Sequence, residues 1–234
     1  IHRGLGDLKK AERLFLKKAK FADLPEAHYI AAAEIAHLRK DRSSREIYLE
    51  KAYGFSSSEK LPLAIIKKFE WLIEEENFDV AINTLRKILE HLKKQKKMIL
   101  LQKVLYEKTG NYKKILDMLP ELKRVDEFKI DYLKQLELSC AINIIKEGVH
   151  SDVSVLRKTW LSFSREIKHK PPLIAVYSKI LLENDLNKEA ESILKKHLDQ
   201  SFDINLVKIY GSIVSEKPRR ALRAIQYWTT KYGE

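Results

Sequence analysis

With one cysteine in 234 residues, Cys140 has no second thiol for an internal disulfide, and no thiol cluster is available for a zinc site. That profile favours a reducing compartment. Glycine and proline are also scarce, at seven and six residues, about half of the ~12% usual in globular domains. Turn material is therefore short for an all-β protein or a glycine-lined cofactor fold, and the composition favours helices. Long apolar runs are missing too. The longest uncharged stretches, 138–145 and 171–178, are eight residues each, against the ~20 that a membrane-spanning helix needs. Ile1 in place of an initiating Met leads to the expectation of a fragment whose neighbouring sequence carries any targeting or anchoring signal.

The patterns that carry catalysis are missing as well. There is no Gly-x-Ser-x-Gly elbow, no phosphate-binding Gly-rich loop followed by Lys-Ser/Thr, and no His-Glu-x-x-His helix. Gly4-Leu5-Gly6 lacks the preceding strand and third glycine of a dinucleotide loop. The seven histidines are scattered, with no pair at helical spacing beside a carboxylate. The chain therefore reads as a non-enzyme, with no catalytic, cofactor-binding or metal-binding residue.

What is present is a rhythm. Gly6-Asp7, Lys40-Asp41, Glu76-Asn77, Gly110-Asn111, Asn184-Asp185 and Lys217-Pro218 each separate two stretches with apolar residues three or four apart, as the elbow of a helical hairpin does. Comparable second-helix positions follow at Ala11, Arg45, Ala81, Ile115, Ala190 and Ala221, in steps of 34, 36, 34, 75 and 31. A period near 34 resembles the tetratricopeptide repeat. A small residue at that position lets paired helices approach, with a bulky one four places on. Ala11/Phe15, Ala81/Leu85, Ala190/Leu194 and Ala221/Ile225 meet both conditions, whereas Arg45/Leu49 and Ile115/Leu119 meet only the second.

The spacing predicts first helices at 25–39, 62–75, 97–109, 172–183 and 203–215, three of them with proline in the first turn, where its missing N–H costs nothing. Second helices fall at 7–21, 44–53, 78–91, 112–119, 187–198 and 218–231. The stretch 126–168 breaks the rhythm. It reads as two long helices, 126–147 and 151–167, with Gly148 as terminator, Ser151 as cap, and an apolar row at Phe128, Tyr132, Leu136, Cys140 and Ile144. Trp160, Phe163 and Ile167 are expected in the core. The expected fold is all-α, a tetratricopeptide-type α-solenoid over 1–234, with regular repeats in 1–125, the irregular pair in 126–169 and further repeats in 170–234.

Lysine and arginine total 45 against 33 acidic residues, a net charge of +12. The run Lys93-Lys94-Gln95-Lys96-Lys97 and several basic pairs could face phosphate or anionic lipid, but they also suit solvated helix ends, and no aromatics are interleaved at base-stacking spacing. Nucleic acid is disfavoured as a partner.

Three stretches carry a further likeness. These are Gly6-Asp7-Leu8-Lys9-Lys10-Ala11-Glu12-Arg13-Leu14 followed by Pro25-Glu26-Ala27-His28-Tyr29-Ile30-Ala31-Ala32-Ala33; Arg45-Glu46-Ile47-Tyr48-Leu49-Glu50-Lys51-Ala52; and Leu156-Arg157-Lys158-Thr159-Trp160 with Ser164-Arg165, Pro171, Tyr177 and Glu189-Ala190-Glu191. In order and spacing they resemble the bacterial HemY family, repeat proteins associated with late haem synthesis. The resemblance implies an inner-membrane protein anchored by hydrophobic helices upstream of Ile1, with its repeats in the cytoplasm and a role in porphyrin metabolism. The chain lacks the dinucleotide fingerprint of the flavin-dependent protoporphyrinogen oxidase that sometimes shares the name.

Together these readings lead to a non-catalytic, membrane-tethered scaffold that holds late haem-synthesis enzymes. By register, Glu34, His37, Lys67, Glu70 and Lys179 are placed on the concave, first-helix face as partner-binding residues. A general tetratricopeptide adaptor or cochaperone for peptide tails, and an RNA-associated repeat using the basic surface, are the alternatives. Direct haem or porphyrin binding is left open; it would need an axial ligand, for which His37 is the candidate. A solvent-facing or capping role is the preferred reading of His37.

Overall fold

The computed structural model describes residues 5–55, 62–148 and 152–232. Every regular element among them is a helix, so the fold is all-α. The chain divides into two compact units, Ile1–Gly110 and Asn111–Glu234.

The first unit contains α1 (Leu5–Ala19), α2 (Pro25–Leu38), α3 (Arg42–Gly54), α4 (Leu63–Glu74), α5 (Phe78–Lys87), α6 (Glu90–Lys93) and α7 (Lys96–Lys108). Pro25 opens α2 at its first turn, and the run of alanines behind it has a packing reason. Ala32, Ala33 and Ala36 are fully buried, and with no bulk on these faces α2 lies against both α1 and α3. Two apolar clusters fill the unit. One gathers Ile30, Ala33, Leu49, Ala52, Ala64 and Trp71; the other is centred on Phe69, Leu85, Met98 and Leu105.

The elbows are the most regular feature of the backbone. Lys40, Glu76 and Asp185 hold φ of 60°, 58° and 59°, and Gly110 holds 65°. After α2, the Asp41 N–H donates to the Ala36 carbonyl and the Lys40 N–H to that of His37; after α4, Asn77 donates to Leu72 and Glu76 to Ile73. This is the left-handed turn that satisfies a helix's last carbonyls. The chain then re-enters a helix at once. Asp41 accepts from the Ser44 N–H at 3.1 Å, and Asn111 from that of Lys114 at 3.3 Å.

The second unit contains α8 (Tyr112–Asp117), α9 (Leu119–Lys123), α10 (Ile130–Glu147), α11 (Val153–Ser162), α12 (Arg165–Lys168), α13 (Pro171–Glu183), α14 (Asn187–Leu198), α15 (Ile204–Gly211) and α16 (Pro218–Tyr232). Between α13 and α14 the same turn recurs, Leu186 donating to Leu181 and Asp185 to Leu182. One core joins Ile145, Leu156, Leu173, Tyr177 and Leu181. Another surrounds Trp228, whose indole N–H donates to Asp199 at 2.9 Å and whose ring meets Tyr210 edge-on at 5.0 Å.

Several expected helices differ from those observed. The segment 78–91 is interrupted where Ile88 and Leu89 turn extended, at ψ 136° and 141°. The interruption lets both Ile88 and Leu92 join the core, while Leu89 points outward at 57% exposure. The irregular pair begins later than expected, at Ile130, and its second helix breaks at Phe163, where ψ is 151°. Ser164 caps the new helix by accepting from the Ile167 N–H at 3.4 Å, and both Phe163 and Ile167 are buried. On α10 the buried line starts at Leu133 and continues through Cys140 and Ile144, while Tyr132 is exposed and stacks on Phe128 at 5.3 Å. Gly148 stands at the C-cap of α10. Ser151 lies outside the described residues, and Asp152 supplies the cap of α11 through the Ser154 N–H at 2.9 Å. The helix expected at 203–215 ends at Gly211.

Candidate functional site

In the first unit, α4 packs against both α2 and α7. These three are the first helices of successive hairpins, so the polar positions of one hairpin's first helix meet those of the next. Lys67 Nζ on α4 lies 2.9 Å from Glu34 Oε1 on α2 and 3.4 Å from Glu70 Oε2 on its own helix. Lys97 Nζ on α7 reaches Glu70 Oε1 at 2.8 Å. The result is a ladder of alternating charge, Glu34–Lys67–Glu70–Lys97, across three helices. The hydrogen bond from Lys67 to Glu34 holds the lysine pKa above its ordinary value. Side-chain exposures run from 25% at Glu70 to 54% at Lys97, so the groups remain open to a partner. Exposed pairs of this kind contribute about 0–1 kcal/mol each to stability, which makes the ladder a poor fold determinant and a usable recognition surface.

Three of the five residues expected on the first-helix face, Glu34, Lys67 and Glu70, therefore converge. Lys97, expected at the start of a first helix and within a basic run but not among the partner-binding residues, completes the set. Lys179 is an exposed residue of α13 in the second unit and has no ion pair among the described residues.

His37 belongs to a different group. Its ring stacks on Trp71 at 4.6 Å and 13° between planes, and its side chain is only 19% exposed. Arg45 Nη1 donates to His37 Nδ1 at 2.9 Å, which puts the lone pair on Nδ1 and the ring proton on Nε2, 3.7 Å from Glu74 Oε2. The same guanidinium is hydrogen-bonded to Glu75, lies 3.3 Å from Glu46 Oε1, and sits over the Trp71 ring at 5.4 Å. The histidine is thus a packed part of the α2/α3 elbow, hydrogen-bonded through Nδ1, rather than a solvent-facing one. A cavity of about 490 Å³ opens beside it, lined by Lys40, Arg42, Glu74 and Glu75 among others.

Arg45 is the residue whose importance the sequence understated. It occupies a position where the hairpin register calls for a small side chain, and it is 6% exposed. A buried arginine must be paired, and its carboxylate, Glu75, comes from the end of α4. The hydrogen bond from Arg45 is the first reason why the Glu75 carboxyl is held below its ordinary range, with Arg45, Arg42 and His37 adding Coulombic attraction. An arginine at a small-residue position was the available signal.

The segments that carried the family likeness also come together. Glu12 accepts from Tyr48 Oη at 2.8 Å and is hydrogen-bonded to Arg39. In the second unit Arg157 places Nε and Nη2 at 3.0 and 2.7 Å from Glu189 Oε2, Tyr177 Oη donates to Glu189 Oε1 at 3.3 Å, and Trp160 stacks on Tyr177 at 4.2 Å. Burial first, then Glu189, raises the Tyr177 pKa well above the ordinary phenol value.

Curated proteins named HemY, from Escherichia coli K12 and from Shigella flexneri, each match 98% of this chain at 24% identity over 230 residues. The chain is HemY-like. It spans 58% of the length of these HemY relatives. No family model matches the chain, and no solved structure matches it. Among the described residues of this HemY-like chain, no helix is long and apolar enough to cross a membrane, and no group of three or more His, Cys, Asp or Glu side chains is placed to hold a metal ion.

Proposed function

We propose that this HemY-like chain is a non-catalytic protein-holding repeat of the late haem pathway. In the full-length protein it is tethered to the bacterial inner membrane, with these repeats on the cytoplasmic side, and keeps successive enzymes close together. The observation that supports the reading best is the half-exposed ladder Glu34–Lys67–Glu70–Lys97, which offers both signs of charge along three adjacent first helices. A partner that exchanges its own ion pairs into such a ladder gains register and orientation more than raw affinity. Tethering then raises the local concentration of each held partner to roughly the mM range for short links, which limits escape of reactive intermediates.

The test is photo-crosslinking in intact cells with the full-length protein. A crosslinkable residue replaces Lys67 or Lys97 on the first-helix face, or Lys18 or Glu50 on second helices, and captured proteins are identified by mass spectrometry. Late haem-synthesis enzymes are expected from positions 67 and 97 and not from 18 and 50. Lys67→Glu combined with Lys179→Glu should reduce that capture severalfold. Equal capture from both sets of positions, or chaperone client tails in place of haem enzymes, would sink the reading and favour a general adaptor.

A further inference from the structure

A second site lies in the Asn111–Glu234 unit and is independent of the first-helix ladder. The break at Phe163 that shortens α11 sets the four-residue α12 near α13 and the end of α14, and a cavity of about 360 Å³ opens there. Its apolar wall is Trp160, Ile174 and Ile193. Its polar wall is cationic: Arg165 and Lys168 come from α12 and Lys196 from α14. Among the described residues no carboxylate lines it, and none of these three cations has an ion-pair partner. The one neighbouring acid on α12, Glu166, is 3.5 Å from Lys134 instead. Other basic side chains of the fold, such as Lys67, Lys97, Lys103 and Arg157, are held in ion pairs.

Two histidines and Gln200 complete the lining. His169 Nδ1 lies 2.7 Å from the Arg165 carbonyl, so it carries the proton there and leaves Nε2 for other partners. His197 is 92% buried, the complement of its 8% exposure, and its Nε2 is shut off from solvent with no hydrogen-bond partner. A buried polar atom left without a partner costs free energy and calls for an explanation. Burial first, then the neighbouring His169, holds the His197 pKa below its ordinary value, while Asp203 opposes the shift.

From the unpaired cations, the orphaned His197 nitrogen and the apolar wall, we infer that this cavity binds a small organic anion, a carboxylate or phosphate head on a compact aromatic or branched body. The cations and His169 take the head, Trp160 with Ile174 and Ile193 takes the body, and His197 stands in the lining beside them. The volume stands at the low end of the range for small-molecule pockets, about 300–1,000 Å³, so the ligand is compact. An apolar wall without charge would serve a neutral ligand, and a cationic wall without the apolar one would serve any ion; the combination selects for both ends.

The proposal is tested by NMR on the histidine ring protons of the folded chain, assigned with His169→Gln and His197→Gln. Phenyl phosphate, benzoate, inorganic phosphate and benzyl alcohol are titrated in turn. Saturable shifts at His169 and His197 are expected with phenyl phosphate and benzoate, and the stronger of these two identifies the preferred head group. Inorganic phosphate and benzyl alcohol should each bind at least about tenfold more weakly. Arg165→Gln with Lys196→Gln, both exposed side chains whose loss leaves the core intact, should weaken phenyl phosphate about tenfold or more with unchanged helical circular dichroism. Equal affinity for inorganic phosphate would show an adventitious ion only, and equal affinity for benzyl alcohol would show an apolar cleft; either overturns the inference. So would unchanged binding in the double variant.

Discussion

At the scale of single residues, Arg45 decides most. Its guanidinium replaces the small side chain of a helix hairpin and is bonded to Glu75 and His37 while covering Trp71. Breaking a buried pair by removing one partner leaves the other charge uncompensated, so Arg45→Ala should destabilise the first unit by about 3 kcal/mol in urea unfolding. The pH dependence follows from Glu75. Its folded pKa is depressed below the ordinary 4.5, the hydrogen bond from Arg45 being the leading cause. A carboxyl of this kind contributes stability that is present above the unfolded pKa and is lost as pH falls through the lower, folded value. Wild-type stability should therefore decline below about pH 4.5, and that part of the acid decline should shrink in Arg45→Met, where only Arg42 and His37 still attract the carboxylate. An identical acid limb in both proteins would place the pair's contribution elsewhere. Tyr210 is a second shifted group, pushed up to about 12 by burial and then by Glu191, whose Oε1 accepts its hydroxyl at 3.1 Å.

At the scale of elements, the elbows are where local geometry can be adjusted without touching the core. A left-handed backbone costs a non-glycine L-residue roughly 1–2 kcal/mol, and Glu76 sits at φ 58°. Glu76→Gly should raise stability by about 1 kcal/mol, and Gly110→Ala, at φ 65°, should lower it by a similar amount. Equilibrium urea titration checks both, and opposite signs would mean that side-chain contacts outweigh the backbone term. These elbows were legible in the sequence because Lys40-Asp41, Glu76-Asn77 and Gly110-Asn111 combine a turn position with an Asx residue at a nearly constant interval, and α14 begins and ends where the spacing placed it. The breaks at Ile88 and Phe163 were not legible. Leu85, Ile88 and Leu92, like Trp160, Phe163 and Ile167, keep the three-and-four spacing of an unbroken helix, so periodicity alone cannot show that the backbone turns extended between them. Ser164 was the one local cue, a cap residue inside an apolar row. The ladder was partly legible for a similar reason: register places Glu34, Lys67 and Glu70 on first helices, but only the packing of α4 against α7 brings Lys97 to Glu70.

At the scale of the whole molecule, each unit owns its core. Among the described residues, the clusters around Trp71 and Phe69 draw on residues up to Tyr106, and those around Tyr177 and Trp228 on residues from Tyr112 onward. A continuous repeat array and a pair of independently stabilised units answer a local perturbation differently. In the array, nearest-neighbour coupling carries the effect of a substitution along the chain, whereas independent cores confine it. The three tryptophans report on this, since Trp71 lies in the first unit and Trp160 and Trp228 lie in the second. With 5-fluorotryptophan incorporated, each gives its own fluorine resonance, and urea unfolding can be followed at all three in one sample. Arg45→Ala should shift the Trp71 transition to lower urea and leave that of Trp228 within error, because the Trp228 core, closed by its hydrogen bond to Asp199, contains no group that the substitution touches. If all three transitions move together, the chain unfolds as one cooperative body despite its separate cores.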